Sequence, residues 1–384
     1  MLDKIRADTR KQKLLDSLEP NPLKINDHKK PIIIIDRPED IYYYTGFWGE
    51  GLLLIFDDLS SKLIVPRLES LRALRTSKQC DVVSSERGRG LIDSFLKFIG
   101  STHFVYYGGS DYWIANIIAR QVGRRNLIPG SEQFRKIREI KDKQEIETID
   151  IASRVIDKLF EIAEKEIKIN KSEEEIQSTL VYEALRRGAR FPSYQFTSNP
   201  LIVASGPNGS FPHAETSSRK IKTGDLIVLD ITLSYDHYVS DATRTFGVGK
   251  ISKKEHDIYE IVRNAQEKGI QRIKTTNNLA EIDLECRKII EGAGFGEFFV
   301  HSTGHGIGLE VHELPWIRHD TPTPIKENMT ITIEPGIYME NKFGIRIEDS
   351  LCITSKKNSK GKLKTENQFD YLNFHRFDKD LIVI

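Results

Sequence analysis

The sequence predicts two domains, an α/β domain over residues 1–135 and an α+β domain over residues 136–384. Three observations predict this. Near the amino end, PIIIID, GLLLIF and KLIVP are apolar runs of strand length, and segments of helical character follow them before residue 135. Beyond residue 135 the apolar spacing becomes a helical stripe, followed by β-rich runs that carry acids in pairs. A chain of 384 residues is also long for one core, given about 100–200 residues per domain.

Taken in order, IYYYTGF lies between the first two strand runs, and Ser94–Ile99 and the segment around Asn116–Val122 read as helical. The charged segment from Arg135 to Lys143 contains the linker. After it, Ile146, Ile149, Ile156, Leu159, Phe160, Ala163 and Ile167 recur at helical spacing. Ser172-x-x-Glu175 is a capping box for the next helix, which ends before Gly188. Leu226–Leu233 and Tyr238–Val248 then read as strands joined through Ser234-Tyr235-Asp236-His237. A turn centred between Tyr235 and Asp236 sets Asp230 and Asp241 opposite each other, where like charges repel. Glu334 and Glu348 are equidistant from Asn341 in a second hairpin, with Gly344 near its tip. Pro335 cannot donate to a ladder, so an edge or bulge is expected beside Glu334.

Both acid pairs sit in apolar, β-branched runs, where ionised carboxylates are costly unless a cation or a donor meets them. His305 lies between the pairs in HSTGHGIGLEVHE. Four carboxylates and one imidazole suit hard or borderline divalent metals, and two such ions about 3.5–4 Å apart activate water for hydrolysis. Any one of these acids alone reads as a solvated surface group. The five together, in two matching hairpins, do not. His301, His312 and His213 stand near the motif, and for each alone a surface or core role is equally consistent. Gly304, Gly306 and Gly308 argue against a helix here and favour a strand or tight loop that lets substrate backbone approach. Arg346 alternates with Glu348 and so shares its strand face, where it balances charge. Tyr338 reads equally as a core aromatic, and Arg244 reads as structural.

Lys and Arg number 57 against 56 Asp and Glu, a net charge of +1, so nothing indicates attraction to nucleic acid or an anionic membrane. MLDKIRADTRKQKLLDSLEPNP lacks the apolar core of a signal peptide, and no run of 18 apolar residues occurs. Cys80, Cys286 and Cys352 are few, odd in number and widely spaced, which fits a reducing cytoplasm. Cys352 lacks any nucleophile motif and is expected in the core.

The ordered motifs VASGPNGSFPHA, SDATRT, GHGIGLEVHE, TIEPGIY and GIRIEDS resemble the pita-bread metallopeptidases, the family of methionine aminopeptidase, aminopeptidase P and prolidase. The resemblance covers most of the chain, and IYYYTGF is similar to the amino-terminal domain of prolidases and creatinases. It implies that Asp230 chelates one metal, that His305 and Glu334 bind the other, and that Asp241 and Glu348 bridge. Two ions per chain are implied, Mn²⁺ or Co²⁺ first, with Zn²⁺ and Fe²⁺ as alternatives. The implied nucleophile is a bridging water or hydroxide, with Glu334 helping as general base. His301 and His312 would contact the scissile peptide and its oxyanion, and His213 would face the proline side. Arg346 would bond a substrate carboxylate or a ligand acid, and Tyr338 matches a family tyrosine near the site.

The implied reaction is hydrolysis of Xaa-Pro bonds, in dipeptides by the prolidase branch. The alternatives are aminopeptidase P action on longer Xaa-Pro peptides, or a non-catalytic binding protein of the same fold. The amino-terminal domain argues against a minimal methionine aminopeptidase. A cytoplasmic homodimer acting on small peptides is expected. One departure stands out. Similar prolidases carry an arginine soon after the His-Glu pair, whereas HELPWIRHD places Trp316 there. Arg318, two residues on, keeps the facing parity of a strand and is expected to substitute.

Overall fold

The isoleucine run of β1 (Lys30–Ile35) is the middle of the first sheet, because Ile32, Ile33, Ile34 and Ile35 are all fully buried and need cover on both faces. The structure is a computed structural model that describes residues 4–18, 30–100, 103–109, 111–192, 199–356 and 369–384. Contacts divide the chain into Met1–Arg138 and Glu139–Ile384, where the sequence reading placed the division after residue 135.

In the first unit, β2 (Leu52–Phe56) pairs antiparallel with β1, and β3 (Ser61–Pro66) with β2. β4 (Asp81–Ser85) joins β3 in parallel, while β5 (His103–Tyr107) and β6 (Leu127–Pro129) extend the other side in parallel. The order is β4-β3-β2-β1-β5-β6. Strand and helix alternate except at the β2–β3 hairpin. The helices are α1 (Lys4–Ser17), α2 (Pro38–Thr45), α3 (Ser70–Thr76), α4 (Arg89–Leu96), α5 (Tyr112–Val122) and α6 (Ser131–Arg138). IYYYTGF is the end of α2 and its stop. Pro38 opens the helix where its missing N–H is harmless, and Gly46, at φ +78°, closes it by donating to the Tyr42 carbonyl. Leu91, Ile92 and Phe95 of α4, with Ile118 and Val122 of α5, pack on Ile32, Ile34, Leu52, Leu54 and Val105.

The second unit sets two helix pairs on antiparallel sheets. α7 (Lys143–Glu166) opens with an Asp142/Glu145 capping box and α8 (Glu173–Arg186) with the Ser172/Glu175 box. Their apolar stripe meets β7 (Ile202–Ser205), β8 (Leu226–Tyr235) and β9 (Tyr238–Gly247), with Ile156, Leu159 and Phe160 in one cluster with Ile227, Leu229 and Phe246. α9 (Lys253–Arg272) and α10 (Ala280–Gly292) cover the second half in the same way. That half holds β10 (Gly304–Gly306), β11 (Glu313–Ile317), β12 (Thr330–Ile333), β13 (Gly336–Met339), β14 (Phe343–Arg346), β15 (Asp349–Ser355) and β16 (Phe369–Asn373). β11-β10-β12-β15-β16 form one sheet and β13-β14 another. Among the described residues no helix is long and apolar enough to cross a membrane.

The register of the first hairpin differs from the expected one. Asp236 and His237 both have positive φ (43° and 70°), so they form a tight two-residue turn and Tyr235 pairs with Tyr238. Asp241 therefore opposes Thr232, and Asp230 opposes Thr243. The two acids share a face as diagonal neighbours, which separates their charges and puts a hydroxyl opposite each. The second hairpin has the expected register, with Asn341 (φ 56°) at the turn. Ile333 pairs with Asp349 and Gly336 with Arg346, so Glu334 and Glu348 lie across from each other where the ladder is interrupted beside Pro335. The two hairpins are tied together. Glu348 N–H donates to the Thr243 carbonyl at 3.1 Å, and Ser350 Oγ donates to the Asp241 carbonyl at 2.6 Å. Acids from both halves of the unit thus meet.

Candidate metal centre

Oxygens of Asp241 and Glu348 and a ring nitrogen of His305 all lie within 4.8 Å of one another, and all three residues are buried. Glu334 Oε1 is 3.2 Å from His305 Nε2. Each of the four carboxylates is also met by a hydroxyl or guanidinium donor. Thr232 donates to Asp241 at 2.8 Å, Thr243 to Glu348 at 2.8 Å and Thr332 to Glu334 at 3.1 Å. Arg346 Nη2 donates to Asp230 Oδ2 at 2.6 Å. Asp230 Oδ1 and Glu348 Oε1 are buried without a hydrogen-bond partner. Two orphaned carboxylate oxygens beside further acids and an imidazole form a donor set that fits divalent cations. His305 donates from Nδ1 to the Gly306 carbonyl at 3.1 Å, and its Nε2, which bonds Glu334 here, is the nitrogen that would face a metal ion once deprotonated.

The glycines around His305 do a different job from the one expected. A Cβ on Gly304 would lie 2.0 Å from the Thr332 carbonyl oxygen, and one on Gly306 would lie 2.3 Å from that of Leu314. One on Gly308 would lie 2.5 Å from the Glu313 carboxylate. They admit the neighbouring strands of the protein itself rather than a substrate backbone.

The histidines differ from one another. His301 Nδ1 lies 2.8 Å from the Ser302 carbonyl, which only accepts, so Nδ1 carries the proton. Tyr338 OH accepts from Arg346 Nη1 at 2.7 Å and donates to His301 Nε2 at 2.9 Å. Both His301 nitrogens are thus bonded within the protein. His312 is 4.3 Å from His305 between ring centres and stacks on Trp316 at 5.9 Å and 18°. His213 is exposed.

Two arginines are already engaged by acids of the protein itself. Arg346 bonds Asp230, Tyr338, Thr243 Oγ1 and the Pro212 carbonyl, so of the two partners the resemblance implied, the structure shows the acid. Arg318 forms a two-point pair with Asp320 at 3.0 and 2.7 Å, half exposed, because an acid two residues along already meets its fork. Arg244 is a structural hub, donating to the carbonyls of Glu348 (2.6 Å) and Asp378 (2.9 Å) and to the Asp349 carboxylate (2.8 Å). Burial pushes the Cys352 thiol up to about 12, which suits a core residue and not a nucleophile.

The threonine donors and the aromatic flank were missed from sequence. Asp230-x-Thr232, Asp241-x-Thr243 and Thr332-x-Glu334 share one spacing, which puts acid and hydroxyl on the same strand face, and that spacing was the available signal.

Comparison with known proteins settles the family. Residues 147–355 match Metallopeptidase family M24, and residues 24–140 match the Creatinase/Prolidase N-terminal domain. The chain belongs to metallopeptidase family M24. It is 35% identical to the Xaa-Pro dipeptidase of Pyrococcus furiosus over 88% of this chain and 94% of that protein. The solved prolidase of Pyrococcus horikoshii OT3 superposes with a TM-score of 0.85 at 31% identity, covering 97% of this chain and 100% of that one. The X-Pro aminopeptidase of Thermotoga maritima gives a TM-score of 0.79 at 29% identity, covering 92% and 95%. The fold is the pita-bread fold, the protein is a hydrolase, and divalent metal use comes with the family.

In this metallopeptidase the buried acids divide by environment. Burial, and then the Asp230 charge, raises Asp241 well above the ordinary carboxylate range; burial, then Asp241 and Glu334, does the same to Glu348. Burial also opposes ionisation of Glu334, but the His305 hydrogen bond and charge overcome it and hold the acid at about 2. His305 is raised for the same reason, the Glu334 bond outweighing burial. Burial and then His305 lower His312 to about 4, so it is neutral near pH 7.

These shifts predict a pH dependence for the metal-free protein. Asp241, Glu348 and His305 bind more protons folded than unfolded, so their contribution to stability falls as pH rises towards their folded pKa values. Glu334 and His312, lowered, contribute the opposite slope, but only below their unfolded values of about 4.3 and 6.5. In the interval above about pH 7, past the unfolded values of all five groups, the falling slope therefore dominates at this site. Chelator-treated protein should lose Tm across that interval, and Glu348→Gln should lose less. Saturating metal should flatten the curve and release protons on binding. Equal slopes for Glu348→Gln and the parent protein would contradict the burial argument.

Proposed function

We propose that the cluster holds two divalent ions and that the protein cleaves the Xaa-Pro bond of dipeptides. The observation that carries the metal reading is the pair of orphaned oxygens, Asp230 Oδ1 and Glu348 Oε1, together with the buried Asp241–His305–Glu348 cluster. Asp241 and Glu348 would be shared between the ions, with Asp230 on one and His305 and Glu334 on the other. Mn²⁺ or Co²⁺ is proposed, with Zn²⁺ and Fe²⁺ tolerated by the same donors. When bound, the ions supply the electrophilic and water-activating chemistry that amide hydrolysis needs. Glu334 is ionised at neutral pH and can accept a proton from the attacking water. Neutral His312, beside His305, would donate to the oxygen that gains charge at the scissile carbonyl. The Arg346–Tyr338–His301 chain fixes the orientation of the flank. A cytoplasmic homodimer completes the proposal.

The substrate reading is supported by the similarity to an Xaa-Pro dipeptidase across nearly the whole length of both chains. His213, which is exposed, is proposed to meet the dipeptide carboxylate in place of Arg318. The second reading, an aminopeptidase P, is favoured by the engagement of Arg318 and Arg346 with protein acids. A panel of an Xaa-Pro dipeptide, its amide and an Xaa-Pro-Xaa tripeptide, assayed with Mn²⁺ or Co²⁺, separates the two. The dipeptide is expected to lead in kcat/KM by a factor equivalent to about 2 kcal/mol or more, and His213→Ala should narrow the gap. A tripeptide cleaved as fast as the dipeptide transfers the protein to the other branch.

A further inference from the structure

We infer that Trp316 is a specificity-determining residue whose indole face reads the proline ring of the substrate. The inference rests on the Xaa-Pro reading above and deepens it. Trp316 and His305 are direct cross-strand partners on β11 and β10, so their side chains share one face of the sheet. That face is the one on which His305 meets Glu334, at 3.2 Å. The Trp316 ring lies 6.2 Å from the His305 ring and is nearly parallel to His312, at 18° and 5.9 Å. His305, His312 and Trp316 therefore form a continuous aromatic wall beginning at the carboxylate cluster. Trp316 is only half-buried although its strand neighbours Pro315 and Ile317 are buried, so part of a large apolar ring is left uncovered beside the reacting groups.

The charged groups around the wall do not offer what the indole offers. Arg346 is bonded to Asp230 and Tyr338, and Arg318 to Asp320. A flat, rigid aromatic surface with few rotatable bonds suits a compact saturated ring such as that of proline, as in the aromatic-lined grooves that bind proline-rich segments. It would select the residue after the scissile bond by shape and apolar contact, independently of the group that meets the carboxylate.

The test uses the metal-loaded full chain and steady-state kinetics on Ala-Pro and Ala-Ala. Trp316→Ala is expected to raise KM for Ala-Pro by roughly 10–100-fold, with kcat less affected. Trp316→Phe should restore most of the loss, and metal content should stay at the parent level in both. Ala-Ala, which has no ring to stack, should lose little. Equal losses on the two peptides, or unchanged Ala-Pro kinetics in Trp316→Ala, would overturn the inference. If Trp316→Ala does not fold, Trp316→Leu gives the same comparison with the space filled but the flat face removed. Failure of the parent protein to prefer Ala-Pro at all would instead remove the Xaa-Pro reading, which is a separate outcome.

Discussion

Asp241→Ala is expected to leave fewer than two ions per chain and to abolish measurable turnover. Asp241 Oδ1 is fixed by Thr232, and its backbone N–H and carbonyl are both tied to Ser350, so neither the side chain nor the strand can shift to let another group replace it. Loss of a shared ligand removes an ion whose electrophilic contribution is several kcal/mol, and about 4 kcal/mol is already near a thousandfold in rate. The same substitution relieves repulsion, because Asp241 is buried next to Asp230, Glu334 and Glu348. Metal-free Asp241→Ala should therefore melt no lower than the metal-free parent above about pH 7, while it loses the stabilisation that metal gives the parent. Metal analysis and paired melting curves check both halves. Two bound ions with full activity would end the binuclear reading.

His312→Ala is expected to retain the metals and to lose about 10²–10³ in kcat, the size typical of a donor aimed at developing charge. Its ring is neutral at working pH and lies 4.3 Å from that of His305 between ring centres, so a donor already stands beside the site when charge develops. KM should change less than kcat, because the bond strengthens only as the oxygen becomes anionic. His301→Ala should also keep the metals, with a smaller loss. Its nitrogens are bonded to Tyr338 and the Ser302 carbonyl, which makes it part of the frame. Metal loss in His312→Ala would show that it is a ligand and that the role assigned here is wrong.

Much of this site was legible because charge in an apolar strand has few explanations. The two acid pairs and His305 could be picked out before any geometry was known, and the structure brings them to one place. The second hairpin was also legible, since Asn341 tolerates positive φ and Pro335 interrupts the ladder. The first hairpin was less so. Asp236-His237 takes the backbone shape usually signalled by Asn-Gly or Asp-Gly, and without that signal the turn was placed one residue early. Arg318 shows the limit of parity arguments: strand alternation gives a face, but Asp320 decided what the guanidinium meets. Arg244 reaches carbonyls about the carboxyl terminus and beside Glu348, contacts that no local pattern encodes.

The most direct measurement of the central claim is a metal titration of chelator-stripped protein, following hydrolysis of an Xaa-Pro dipeptide as Mn²⁺ or Co²⁺ is added. The account predicts no activity without metal, and a rate that rises until two equivalents per chain are bound and then stays level. Cleavage by the stripped protein, or a plateau at one equivalent, would contradict it.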